Sequence, residues 1–250
     1  MPQLERPDGR IAYEVHGQGY PVLLFAPGGL KSRMAMWPSP PEGPARPWVD
    51  WTRALPAAGF TAIAMDQRNA GASVAGIRAD HGWHTYAADH LALMEHLGFG
   101  RFHVLGGCIG GSFCLKAIKA APGRVTAAVL QNPIGRHPDH PGYFPDSHRD
   151  WAAEQRAARP ELEEAALAGF GRAMWDHDFV FSVDRGFARR CPVPTFLLPG
   201  TDIPHPAATS AELAALLPGV EVVADWRGPD HLAEQEARVV GFLRRHAPPA

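Results

Sequence analysis

Val104-Leu105-Gly106-Gly107-Cys108-Ile109-Gly110-Gly111-Ser112 decides how this chain is read. An apolar run, Phe102–Leu105, meets a cysteine bracketed by glycines, and a helix-like run, Ile109–Ala121, follows at once. A side chain held on so sharp a strand-to-helix turn sits in strained backbone geometry, with its reactive atom thrust outward. Strand and helix nearly touch there, so the residues two before and two after must be small. Gly106 and Gly110 meet that demand, which makes Cys108 a candidate nucleophile. A glycine-rich turn of this kind could instead cradle a pyrophosphate, but the order G-G-C-I-G-G fits neither G-x-G-x-x-G nor the P-loop pattern. The plain alternative is a buried small hydrophobe, the usual lot of a free cysteine, and Cys114 and Cys191 are read that way.

Outward from this stretch, apolar runs alternate with helical ones. Gln3–Arg6 and Arg10–His16 flank the turn Pro7-Asp8-Gly9 and predict a hairpin. Val22–Ala26, Thr61–Met65 and Val125–Leu130 read as strands, and Tyr86–Leu97 as a helix. Such alternation predicts a parallel sheet wrapped by helices, its strands apolar on both faces. The pattern lapses between Pro133 and Arg190, where two helices are expected, around Asp150–Ala158 and Glu161–Trp175, and no strand. Regularity returns with Val193–Leu198, a helix near Ala207–Leu217, the strand Val220–Val223 and a last helix from Leu232 to His246. The expectation is an α/β core over 1–132 and 191–250, with 133–190 inserted as a helical cap. The Pro-rich run 37–44 is expected on the rim of the site.

At this point the chain resembles the α/β-hydrolase fold family along its whole length. The G-x-C-x-G-G turn is similar to that of dienelactone hydrolases, which use cysteine where most members use serine. Asp66-Gln67-Arg68-Asn69-Ala70-Gly71-Ala72-Ser73 resembles the family's D-x-R-G-x-G-x-S segment, with Asn69 in place of glycine; its Asp and Arg are read as turn-fixing. The resemblance implies the chain order nucleophile, acid, histidine. Asp202, after Phe196–Leu198, stands where the acid is expected, and His231, just before the last helix, where the histidine is expected. Asp230 ranks behind Asp202, because adjacent side chains on an extended backbone point apart. The resemblance further implies an oxyanion hole from the backbone N–H of Ile109 and one from Pro27-Gly28-Gly29, with Gly29 the candidate and Leu30 the next.

The chemistry this implies is hydrolysis of a small-molecule ester, lactone or thioester through an acyl-cysteine. Acyl transfer to other acceptors, carbon–carbon cleavage and plain ligand binding are the rivals on the same scaffold. No cofactor is called for. The pairs His81/His84 and His137/His140, with Asp176-His177-Asp178, match no metal-ligand spacing, so no metal is expected. Trp37, Trp83, Phe144, Trp151 and Trp175 fall in rim and cap, where apolar wall and ordinary core cannot be told apart.

At 250 residues and 46% hydrophobic the chain can build one substantial core. A formal charge of -2, with 24 basic residues scattered along the chain, offers no stripe for nucleic acid. The start carries no basic-then-apolar leader, and no run of about 18 apolar residues follows, so neither secretion nor membrane insertion is expected. Three cysteines without C-x-x-C spacing fit a reducing cytoplasm.

Overall fold

A computed structural model describes residues 1–248. The hairpin forms as β1 (Gln3–Arg6) and β2 (Gly9–His16), antiparallel, with Leu4 opposite Ile11. β3 (Tyr20–Phe25), β4 (Phe60–Met65), β6 (Phe102–Gly107), β7 (Val125–Gln131), β8 (Thr195–Leu198) and β9 (Glu221–Val222) follow, with β5 (Val74–Ala75) a two-residue addition beside β2. The sheet order is β1-β2-β4-β3-β6-β7-β8-β9; every pair from β4 to β9 is parallel, and β2 joins β4 antiparallel.

The continuous apolar runs have the burial expected of central parallel strands. Along β3, Leu23 and Phe25 enter one core and Val22 and Leu24 the other, the period of two carrying alternate side chains to opposite faces. The first core lies under α2 (Trp83–His96) and α3 (Ile109–Ala120), and the second under α1 (Trp51–Ala57) and α8 (Leu232–His246). Between β7 and β8 stand three helices and no strand among the described residues: α4 (Tyr143–Ala158), α5 (Glu164–Trp175) and the short α6 (Arg185–Arg189). α4 begins earlier than its sequence suggests. The first core continues into this helical segment through Phe144, Trp151, Phe170 and Trp175. α7 (Ala207–Leu216) joins β8 to β9.

The Asp66 segment is a turn-fixing device. Asp66 accepts the amides of Met34 and Ala72, both at 2.8 Å, and Ser73 Oγ donates to the Asp66 carbonyl. Asn69 adopts a φ of 60° and accepts the Ala75 amide, which explains why asparagine serves where the family favours glycine. Arg68 reaches Asp8 in the hairpin turn and Asp89 on α2, both at 2.7 Å. No helix is long and apolar enough to cross a membrane among the described residues.

Candidate active site

Cys108 stands between the last residue of β6 and the first of α3, at φ 59° and ψ -121°. The closeness of strand and helix is literal: a Cβ on Gly106 would lie 2.1 Å from the Gly110 carbonyl oxygen, and one on Gly110 would lie 2.3 Å from that of Phe25. The Cys108 amide donates to Gln131 O on β7 at 3.0 Å, which fixes the turn to the sheet. The side chain is half-buried against the first core.

The loop after β8 carries Asp202, the expected acid, and beside it a histidine that sequence position did not single out. Asp202 and His205 form a two-residue antiparallel bridge, with the His205 amide donating to the Asp202 carbonyl at 3.0 Å. The loop thus doubles back, and Gly200 leaves room for it: a Cβ there would lie 2.4 Å from His205 Cβ. His205 Nδ1 meets Asp202 Oδ1 at 2.5 Å, and Arg227 Nη1 donates to Oδ2 at 3.2 Å. The ring is buried, and its Nε2 has no hydrogen-bond partner. The Cys108 thiol is near enough for each group to shift the other's pKa.

The charges of these groups are coupled. Burial by itself would raise the Cys108 thiol, but hydrogen bonding and attraction from His205, with the amides of Gly28 and Ile109, bring it below its ordinary value. Burial would lower His205, and the sulfur and the Asp202 carboxylate outweigh that and raise it. Asp202 is lowered against its burial penalty by His205 and Arg227. All three shifts favour a thiolate, an imidazolium and a carboxylate in a row. Cys114 and Cys191 are pushed up by burial, in keeping with two structural thiols.

One expectation is corrected here. His231 is not the histidine at the thiol: it lies in a one-turn 3-10 segment, Pro229–His231, leading into α8, and bonds neither Asp202 nor Cys108. The reason is local, because that loop offers Arg227 to the acid, while Pro229-Asp230 carry His231 on into the helix start. With Ile109, the backbone amide that lowers the thiol is that of Gly28, next to the expected Gly29. Gly28 takes φ 123°, and Gly29 already begins the turn Gly29–Lys31. Asp230 is exposed and is not among the groups that shift the thiol.

The D-I-P-H-P spelling of 202–206 was the available signal for His205. An Asp three residues before a His, with prolines on either side of the His, encodes a turn that closes on itself.

Tyr143, at the start of α4, has its pKa raised by burial and then by Cys108 and Asp202. Phe144 stacks on Trp175 at 4.8 Å, and Phe181 packs edge-on to both. Trp37 is fully buried, and its ring would touch a Cβ on Gly107 at 3.4 Å. Among the described residues no three His, Cys, Asp or Glu side chains converge as a metal site would require.

Comparison with known proteins agrees with this architecture. A protein named "Putative carbamate hydrolase RutD" from Variovorax paradoxus (strain S110) is 32% identical over 122 residues, 49% of this chain and 42% of that relative. The matched region is thus under half of the relative's length. Among solved structures, a meta-cleavage product hydrolase from Pseudomonas fluorescens IP01 superposes with a TM-score of 0.68 at 16% identity, covering 96% of both chains. The enol-lactonase from Burkholderia xenovorans LB400 gives 0.65 at 18% identity, over 97% of this chain and 100% of that one. Residues 21–173 match the family described as alpha/beta hydrolase fold, and with the sheet order and the strand-to-helix turn at Cys108, the chain belongs to that family.

Proposed function

We propose that this chain is a hydrolase of small esters, lactones or thioesters, with Cys108 as nucleophile, His205 as base and Asp202 as the acid that orients it. One observation carries the reading: a thiol lowered in spite of burial, beside a histidine whose other nitrogen is 2.5 Å from a carboxylate.

The sequence of steps follows from the charges. His205 Nε2 takes the thiol proton, and Asp202 stabilises the imidazolium and holds the tautomer. The thiolate attacks the carbonyl carbon, and the amides of Gly28 and Ile109 receive the oxyanion. Collapse expels the alkoxide or thiolate leaving group, which takes the proton from His205 and leaves an acyl-cysteine thioester. His205 then deprotonates water, and the resulting hydroxide attacks the thioester and releases the acid and the Cys108 thiolate. The glycine-bracketed turn, like that of dienelactone hydrolases, suits cysteine because the positive end of α3 favours the thiolate. The relatives named for carbamate and enol-lactone hydrolysis act on carbonyl groups of the same general kind. Segment 133–190 is the cap of this site, and its aromatic side chains are the wall of the acyl pocket.

Intact-protein mass spectrometry with 4-nitrophenyl acetate tests the reading. The expected result is turnover by the parent and, in His205→Ala at about pH 9, above the ordinary thiol pKa, a persistent acetyl adduct on the peptide containing Cys108. Rapid turnover by His205→Ala, or no adduct in either protein with any activated ester, would overturn it.

A further inference from the structure

Two glutamines are buried where the end of β7 meets α1 and α8: Gln131 is 0% and Gln235 1% exposed. A carboxamide in such a place is costly unless its groups are bonded. Gln131 Oε1 accepts the Trp51 indole N–H at 3.2 Å and Gln235 Nε2 at 3.1 Å, and Gln235 Oε1 accepts the Val49 amide at 3.1 Å. An indole N–H can only donate, so the Gln131 atom facing it is the oxygen, and that choice fixes which end of Gln235 donates.

This chain of bonds ends at opposite sides of the candidate triad. On one side, the main-chain carbonyl of Gln131 accepts the Cys108 amide at 3.0 Å, and its Nε2 stands 3.3 Å from where a Cβ of Gly107 would lie. On the other side, Val49 follows closely on Pro47, whose carbonyl accepts the Gly228 amide at 3.0 Å. Gly228 in turn follows Arg227, which donates to Asp202 Oδ2 at 3.2 Å. The nucleophile turn and the loop that serves the acid are thus tied together behind the site. Apolar side chains of equal volume would fill this space, but cores packed in that way lose positional uniqueness before they lose stability. Directed bonds between buried amides hold a position instead.

We infer that Gln131 is a positioning residue for the reaction: its side chain, held by Trp51 and Gln235, sets where the carbonyl that anchors the Cys108 turn stands, and so where the sulfur stands beside His205. The inference rests on the thiolate chemistry proposed above. Gln131 touches no reacting atom in it and acts through the backbone of the turn.

Gln131→Met keeps the side-chain volume and removes both accepted bonds. Two measurements read its effect: the pH midpoint of iodoacetamide labelling on the peptide bearing Cys108, and kcat against KM with 4-nitrophenyl acetate. The midpoint should move upward, and kcat should fall by about tenfold or more with KM within about twofold, since a shift of about 1 Å in a reacting group can cost about a hundredfold. Trp51→Phe, which deletes one N–H and keeps an aromatic ring, and Gln235→Met should move both readouts the same way by less. The inference fails if the labelling midpoint of Gln131→Met coincides with the parent's, however far its melting temperature falls, or if the loss lies in KM with kcat unchanged. Should Gln131→Met not fold, an unmoved midpoint in both Trp51→Phe and Gln235→Met overturns it equally. Labelling needs no turnover, so the midpoint decides this inference even where no ester is hydrolysed and the hydrolase reading itself fails.

Discussion

Cys108 carries its own diagnostic at the scale of a single residue. Its thiol is lowered by His205 and two amides, whereas burial raises Cys114 and Cys191. Limited iodoacetamide treatment at neutral pH should therefore modify Cys108 first, and peptide mapping against residual activity reads the order. The pH dependence has a definite sign. A thiol below its ordinary value is already ionised under conditions where an unperturbed one, near 8.5, is not. Removing His205 should move the midpoint of the labelling rate upward, and His231→Ala should leave it in place. On kcat/KM with an activated ester, His205→Ala should cost about a thousandfold or more, while His231→Ala stays within a few-fold of the parent. Arg227→Met belongs with these changes. It removes one of the two groups that keep Asp202 ionised, so activity should fall away at a higher pH on the acid side, with KM little changed.

Individual elements show where the sequence could be read and where it could not. β3, β4, β6 and β7 were legible because strands buried on both faces are written as unbroken apolar runs. α1 escaped because Pro56 lies inside it and it spans only seven residues. β5 is two residues, too short for a period of two to be seen, whereas β9 lies inside the strand read at Val220–Val223. Asp202, the proposed acid, could be singled out because it follows a strand end. The histidine could not, since the fold of the 199–205 loop depends on Gly200 and His205 approaching across the turn, a tertiary contact that periodicity does not record. Gly200→Ala tests this element directly. Its new Cβ would collide with His205, so the variant should lose most of its activity and its low-pH thiol labelling, while its melting temperature falls by only a few degrees. A large loss of stability with activity intact would show the loop to be structural alone.

Across the whole molecule, the Arg68 centre ties three distant parts together: the hairpin turn through Asp8, the loop after β4 that bears Arg68, and α2 through Asp89. Arg6 adds a second cation to Asp89 at 2.8 Å. Breaking such a buried arrangement strands a charge, so Arg68→Met should destabilise the fold by about 3–5 kcal/mol in urea unfolding. The Arg68 hydrogen bond holds Asp8 below the usual carboxylate range in spite of some burial. The folded-state value is the lower one, so this contribution is present above the ordinary carboxylate pKa and is lost as pH falls through the folded value. The parent should therefore lose more stability than Arg68→Met on acidification. This network was legible only in part: Asp66, Arg68 and Ser73 stood out in sequence, but their partners lie on elements far away along the chain.

The bridge between Asp202 and His205 has a mechanical meaning. In a triad whose acid and base come from separate loops, three bodies must be held in register, and each can drift on its own. Here the proposed acid and base share one heptapeptide, Pro199–His205, closed by its own backbone hydrogen bond. Bridged in this way the two side chains share one anchor, and a single gap, from ring to sulfur, is left for the rest of the protein to hold. Breathing of the loop would open or close that gap without spoiling the tautomer, so reactivity should be graded by one coordinate, the distance between β8's loop and the turn at Cys108.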